Sequence, residues 1–206
     1  MTRLVVFGAG GRAGRAIVSE ARRRTAHSSN GGGRGGDGMT VTPVVREPAK
    51  YADLDGAVRG DATDADSVAA VAAGHDVAIV AVYSAELDPA AYAAATEQLL
   101  AGLERAAVKK VLIVGLATTF GAVDSLPAEW RPFAQARADE LAVLRDYAGA
   151  VDWVVFTPPM ELVEGDSMQY TMKELGGRLT YAALAAALLD EVEAGRHHRR
   201  QVGVSG

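Results

Sequence analysis

The chain has 206 residues, 49% of them apolar and 23% charged, a balance that suits one globular domain with a substantial core. Its net charge of −5 offers no basic face to a phosphate backbone, and the lack of cysteine excludes disulfides, thiolate catalysis and Cys-ligated zinc. No apolar run approaches the ~18 residues of a membrane span, so the expectation is a soluble cytoplasmic protein with neither nucleic acid nor membrane as partner.

The first predicted element is Leu4–Phe7, an apolar run that meets glycine at once and reads as a buried strand rather than a signal peptide. The Val- and Ile-rich runs Val41–Val45, Val77–Val82, Val111–Val114 and Trp153–Phe156 read as strands buried on both faces, with a weaker short strand at Ala57–Arg59. Between them Arg12–Arg24, Asp64–Ala73, Pro89–Ala107 and Phe133–Tyr147 are helix-like, and Tyr181–Gly195 reads as an amphipathic helix stopped by its glycine. "TDAD", Thr63–Asp66, predicts a Thr N-cap with an acid three residues on. The alternation predicts an α/β protein, a doubly wound parallel sheet with helices on both faces. One segment departs from it: "HSSNGGGRGGDG", His27–Gly38, is half glycine and predicts a flexible surface insertion.

The first strand runs into Gly8-Ala9-Gly10-Gly11-Arg12-Ala13-Gly14, with glycines at 8, 11 and 14 spaced G-x-x-G-x-x-G. A sharp strand-to-helix turn favours glycine, a missing side chain lets the backbone approach a diphosphate, and the last glycine permits close helix–strand packing. The N–H groups and dipole of the following helix then face the anion. The strand before this cluster and the helix after it predict dinucleotide binding, the alternative being a tight turn that holds no ligand. Which nucleotide it takes depends on the residue after the second strand, where a carboxylate reads a ribose and an arginine a 2′-phosphate. Arg46 stands 32 residues beyond Gly14, or 20 once the twelve-residue insertion is set aside. A guanidinium suits a phosphate through paired charge-assisted hydrogen bonds, and Arg12 adds a second charge, so NADP(H) is expected over NAD(H). Asp61, in "RGDATD", has two readings, an acceptor for the adenine amino group beside the Ala62 backbone or a plain turn acid. Ala81, Val82 and Tyr83 leave the fourth strand and Leu116 the fifth, at the strand ends where such sheets bind ligands. "FTPPM" leaves the next strand in the same way. Tyr83 either stacks on a flat ligand or packs at its strand end.

Taken together, "VVFGAGGRAG", "VVREPAKY", "VRGDATDADSVAAVAAGHDVAIVAV", "VDWVVFTPP" and "LTYAALAAALLDEVE" resemble the atypical short-chain dehydrogenase/reductases, the NmrA-like and epimerase-like group that includes biliverdin/flavin reductase relatives. The resemblance implies a Rossmann-like fold of about seven strands, formed as a single domain over residues 1–206 with one cofactor and a substrate pocket above the nicotinamide. It implies that Gly8, Gly11, Arg12 and Gly14 hold the diphosphate, Arg46 the 2′-phosphate, and Asp61 and Ala62 the adenine edge. Thr157 and Pro158 are implied as a wall near the nicotinamide. The family loop often reads Gly-Ala-Thr-Gly, and Gly10 here replaces the threonine and its hydroxyl.

Typical short-chain dehydrogenases, by contrast, work with Tyr-x-x-x-Lys on one helix face, where the ammonium lowers the phenol's pKa. None of the four lysines follows a tyrosine by four residues, and Tyr170 and Lys173 in "YTMKE" stand three apart. The hydroxyls left for catalysis are Thr118 and Thr119, after the fifth strand, where a substrate carbonyl would bind. Hydride transfer needs proximity and orientation above all, which suits a small carbonyl, flavin or quinone-like acceptor. A non-catalytic nucleotide sensor and an epimerase or dehydratase are the alternatives. His197-His198 lies among basic residues, so no metal is expected. The partner is a small-molecule substrate, and the chain acts as a monomer or a homodimer.

Overall fold

In chain order the strands are β1 (Thr2–Phe7), β2 (Met39–Val45), β3 (Val58–Arg59), β4 (Val77–Val80), β5 (Lys110–Val114), β6 (Asp152–Thr157), β7 (Glu161–Val163), β8 (Arg178–Thr180) and β9 (Arg200–Gly203). The helices are α1 (Arg12–Ser29), α2 (Ala65–Ala72), α3 (Ala91–Arg105), α4 (Arg131–Asp146) and α5 (Tyr181–Ala194). The structure, a computed structural model, describes residues 1–29, 38–82, 91–120, 126–172 and 176–206. Seven of the strands form one sheet in the order β3-β2-β1-β4-β5-β6-β9, with every pair parallel, and β7 and β8 form a separate parallel pair.

β1 shows why both faces need cover. Its side chains alternate across the sheet, so Leu4 and Val6 enter one core layer while Val5 and Phe7 enter the other. The first layer is closed by Ile17, Val18 and Ala21 of α1 and by Ala183, Leu184 and Leu188 of α5. The second is closed by Val68 of α2, Leu99 and Leu103 of α3, and Leu141 and Leu144 of α4. This is the doubly wound parallel plan expected from the alternation, in the Rossmann-like form of seven strands that the resemblance implied. Among the described residues no helix is long and apolar enough to cross a membrane.

Several elements differ from their sequence signals. α1 runs on to Ser29, so the expected insertion begins with helix, and residues 30–37 lie outside the described part. The cap of α2 is Asp64, not Thr63: the Asp64 side chain accepts from Asp66 N. Thr63 is occupied elsewhere, its N–H and hydroxyl both donating to Asp61 Oδ1. α5 is buried on every side from Ala183 to Leu189 rather than amphipathic, because it packs between α1 and β8 as well as on the sheet. Its stop is Gly195, left-handed at φ 57°, whose N–H donates to Glu191 O. β7, β8 and β9 were not anticipated.

Charged groups at the amino ends of the strands are paired. Arg3 Nη2 lies 2.9 Å from Asp76 Oδ1. Lys110 Nζ lies 2.8 Å from Glu191 Oε1, and His197 Nδ1 lies 2.7 Å from Glu191 Oε2. His198 Nδ1 is 2.8 Å from Asp152 Oδ2. The two histidines therefore serve this network, and among the described residues no three His, Asp or Glu side chains gather as a metal site.

Candidate functional site: the carboxyl edge of the sheet

Because every strand of the large sheet points the same way, the loops that leave them share one edge. In lateral order they carry Asp61 (after β3), Arg46 (after β2), Gly8 (after β1), Ala81 (after β4), Leu116 to Thr119 (after β5) and Pro158 (after β6). The chain switches direction between β1 and β4, where open sheets of this kind bind their ligands. Thus the structure brings the expected site residues into one row, apart from Tyr83, which lies outside the described residues.

The glycine loop at the centre of the row is fitted to close backbone approach. Gly8 has φ +76°, and a Cβ on it would lie 2.4 Å from Ala81 O. A Cβ on Gly14 would lie 2.2 Å from Gly8 O and 2.7 Å from Ala9 Cα. Gly11 N donates to Gly8 O, and Arg15 N is bonded to Gly11 O, so α1 starts at once. The N–H groups of Arg12, Ala13 and Gly14 in its first turn have no intrahelical acceptors and carry the positive end of the helix dipole. A loop whose one side chain is the buried Ala9 methyl, at the head of an eighteen-residue helix, suits the diphosphate of a dinucleotide. Arg12 lies with its guanidinium 5.1 Å from the centroid of the Tyr181 ring, beside this loop.

On the β2 side Arg46 is exposed and has no ion pair or hydrogen bond among the described residues. With Glu47, Lys50 and Tyr51 it lines a polar cavity of about 270 Å³. Lys50 Nζ lies 2.7 Å from Glu47, an ion pair that holds the Glu47 carboxyl below its ordinary range. Asp61 is partly engaged by its own turn, since Oδ1 accepts from Thr63, while its N–H donates to Ser67 Oγ. Ala62 follows it, half-buried.

On the β5 side the two threonines part company. Thr119 Oγ1 donates to Leu116 O at 2.7 Å and accepts from Gln201 Nε2 at 2.5 Å. Gln201 also donates to Thr157 Oγ1, at 3.0 Å, so one amide from β9 ties the ends of β5 and β6 together. Thr157 and Pro158 are buried. The Thr118 hydroxyl is also buried, but it has no hydrogen-bond partner among the described residues. Below this loop Arg137 donates to Val114 O and lies 2.9 Å from Glu140 Oε2. Burial pushes the Glu140 carboxyl up, and the Arg137 guanidinium opposes this.

Tyr170 is not free for proton transfer. Its hydroxyl donates to Asp190 Oδ2 at 2.5 Å, and burial together with that bond pushes it up to about 12. Phe133 packs edge-on against Tyr92 at 5.8 Å, inside the α3–α4 contact, whereas Trp130 is exposed. Sequence reasoning did not single out Gln201, Arg137 or the packing role of Tyr51. Each acts through a long-range contact, and the local patterns around them carry no motif.

Known proteins share this chain's fold. The model of a family described as NAD(P)H-binding matches residues 8–194. Among solved structures, a provisionally named exported protein from Burkholderia pseudomallei is 27% identical with a TM-score of 0.80, covering 100% of both chains. A provisionally named epimerase from Bacteroides thetaiotaomicron is 25% identical with a TM-score of 0.80, covering 98% of this chain and 96% of its own. A provisionally named NADH-flavin reductase from Streptococcus pneumoniae shares the fold at 24% identity and a TM-score of 0.77, covering 99% of each chain. No significant match is found among curated proteins. With the family model spanning most of the chain, and with the strand order and glycine loop described above, this chain belongs to the NAD(P)H-binding family of Rossmann-like proteins.

Proposed function

We propose that the protein is an NADPH-dependent oxidoreductase that passes hydride to a small carbonyl, flavin or quinone-like acceptor in the cytoplasm. The observation that carries this reading is Arg46, exposed and without an ion pair among the described residues, beside the glycine-rich loop at the β2 position where a ribose-phosphate would lie. A guanidinium with no hydrogen-bond acceptor among the described residues is poised for a phosphomonoester, and Arg12 adds charge nearby. The hydride itself is the chemistry that the nicotinamide supplies when bound. The chain's part is to hold and orient. The glycine loop and α1 fix the diphosphate, Thr157 and Pro158 wall one side, and the Thr118 hydroxyl donates to the acceptor's oxygen. Thr119 serves as a positioning residue, since its donor is already spent on Leu116 O.

A second reading, a nucleotide sensor without turnover, draws on the missing Tyr-x-x-x-Lys pair and the engaged Tyr170. Calorimetric titration with NADPH and NADH, repeated on Arg46→Ala, tests the cofactor assignment. NADPH is expected to weaken by roughly 10- to 100-fold, as for loss of a hydrogen bond to a charged group, with NADH nearly unchanged. Equal losses would remove the 2′-phosphate assignment. NADPH oxidation followed across flavins, quinones and ketones separates the two readings, because binding without turnover on that panel supports the sensor.

A further inference from the structure

Gly10 is a glycine for a reason different from its neighbours. Its φ is not in the left-handed region, so the backbone there would accept another residue. What excludes a side chain is Tyr51: a Cβ on Gly10 would lie 2.4 Å from its Cε1 and 2.5 Å from its Cζ. Cζ bears the hydroxyl, so the phenol end of the ring is the part that abuts the diphosphate loop. The ring is held there by the residue that braces the loop. Arg15 Nε donates to Gly10 O at 3.0 Å, and its guanidinium lies 5.8 Å from the Tyr51 centroid. Arg15 Nη1 is in turn anchored on Asp53 at 2.5 Å. The Tyr51 hydroxyl itself makes no hydrogen bond among the described residues, and Tyr51 lines the polar cavity that Arg46 and Lys50 share.

We propose that Tyr51 is a specificity-determining residue for the adenosine end of the cofactor, its phenol O–H donating to the 2′-phosphomonoester that Arg46 also binds. The inference rests on the NADPH reading above. The loop has no hydroxyl at position 10, and the neighbouring turn delivers one through space to the same place. A phosphomonoester offers three acceptor oxygens, more than one guanidinium fork can satisfy, so a neutral donor completes its shell. The Glu47 carboxylate on the same cavity would oppose an anion, and Lys50 neutralises it.

The test is Tyr51→Phe in the full chain, which keeps the ring that fills the space at Gly10 and removes only the hydroxyl. Calorimetry with NADP⁺ and NAD⁺ is expected to show NADP⁺ weakened about fivefold or more and NAD⁺ changed by less than about twofold. Unchanged NADP⁺ affinity, or equal loss for both nucleotides, overturns the proposal. If Arg46→Ala is selective for the phosphorylated nucleotide while Tyr51→Phe is silent, only this inference fails. If neither variant is selective, the NADPH reading fails with it. A second pair checks the packing premise. Gly10→Thr alone should impair binding, whereas Gly10→Thr combined with Tyr51→Ala should bind NADP⁺ no more weakly than Tyr51→Ala. Equal harm in both backgrounds would show that the ring is not what requires the glycine, and would overturn the proposal.

Discussion

The two ends of the parallel sheet are built to opposite rules. At the amino ends, charges meet charges: Arg3 finds Asp76, Lys110 and His197 share Glu191, and His198 finds Asp152. At the carboxyl ends, polar groups are left with bonding capacity that no described residue takes up: the first-turn N–H groups of α1, the Arg46 guanidinium and the Thr118 hydroxyl. The first end secures the fold, and the second keeps donors available for something that is not protein. Substitutions at the two ends should therefore separate stability from binding.

The largest effect is expected at Gly14. Gly14→Ala drives a methyl to 2.2 Å from Gly8 O and should cost about 1–3 kcal/mol in overpacking, with nucleotide affinity lowered by ~10- to 100-fold in calorimetry. Gly11→Ala is the control, since its Cβ would lie at an ordinary 3.5 Å from Gly8 O and circular dichroism should show an unchanged melting temperature. Any affinity lost at Gly11 then measures crowding of the ligand alone.

At the other end, Lys110→Met should lower stability by about 1–3 kcal/mol in a urea melt, because it takes the ammonium from a buried Glu191 carboxylate and leaves it only the His197 ring and backbone N–H, and should leave nucleotide affinity untouched. A fall in affinity as large as that in the glycine loop would break the comparison.

Thr118→Val should sharpen it. Removing a buried hydroxyl that has no partner should leave stability equal or raised by up to ~1 kcal/mol, yet lower turnover with a carbonyl acceptor by about tenfold. Steady-state kinetics beside a thermal melt reads both signs at once. Loss of stability with intact turnover would return Thr118 to the scaffold.

The smallest effect is in the acid limb of the pH–stability curve. Arg3 holds the Asp76 carboxyl down at about 2, against an ordinary 3.8. A depressed folded-state value means that this stabilisation is present above pH 3.8 and is lost as the pH falls through about 2. Glu191 is likewise held down, by Lys110 and His197 against the opposing effect of burial. Asp76→Asn should flatten the curve in that window by under about 1 kcal/mol, the pair being partly exposed.

The fold was legible where one pattern meets one cause. Runs such as "LVVF" and "VLIV" are apolar on both faces because helices cover both, and the sheet follows from them. β9 escaped notice because "RQVG" has no apolar run; its place is set by pairing with β6 and by the Gln201 contact to Thr119, both distant in sequence. β7 and β8 are three residues each, too short to show a period. Asp64 displaced Thr63 as the cap because Asp61 captures the threonine, a competition between acceptors that no spacing rule resolves. The row of site residues could be placed because strand ends are local signals. Which hydroxyls remain available could not be, because Thr119 donates to Leu116 O in its own turn and also accepts from a glutamine 82 positions away.

The wholly parallel character of the large sheet has a cost in assembly. No two of its strands can be joined by a tight hairpin turn, so each pairing must close a long stretch of chain before it gains anything, and such topologies fold slowly. During that delay the central strands, apolar on both faces, are open to self-association. In the finished molecule the outermost positions fall to β3, two residues long, and β9, four residues long, each bearing an arginine. Short, charged borders of this kind deny a neighbouring molecule a template for adding a strand, so the native protein should resist aggregation far better than its folding intermediates do.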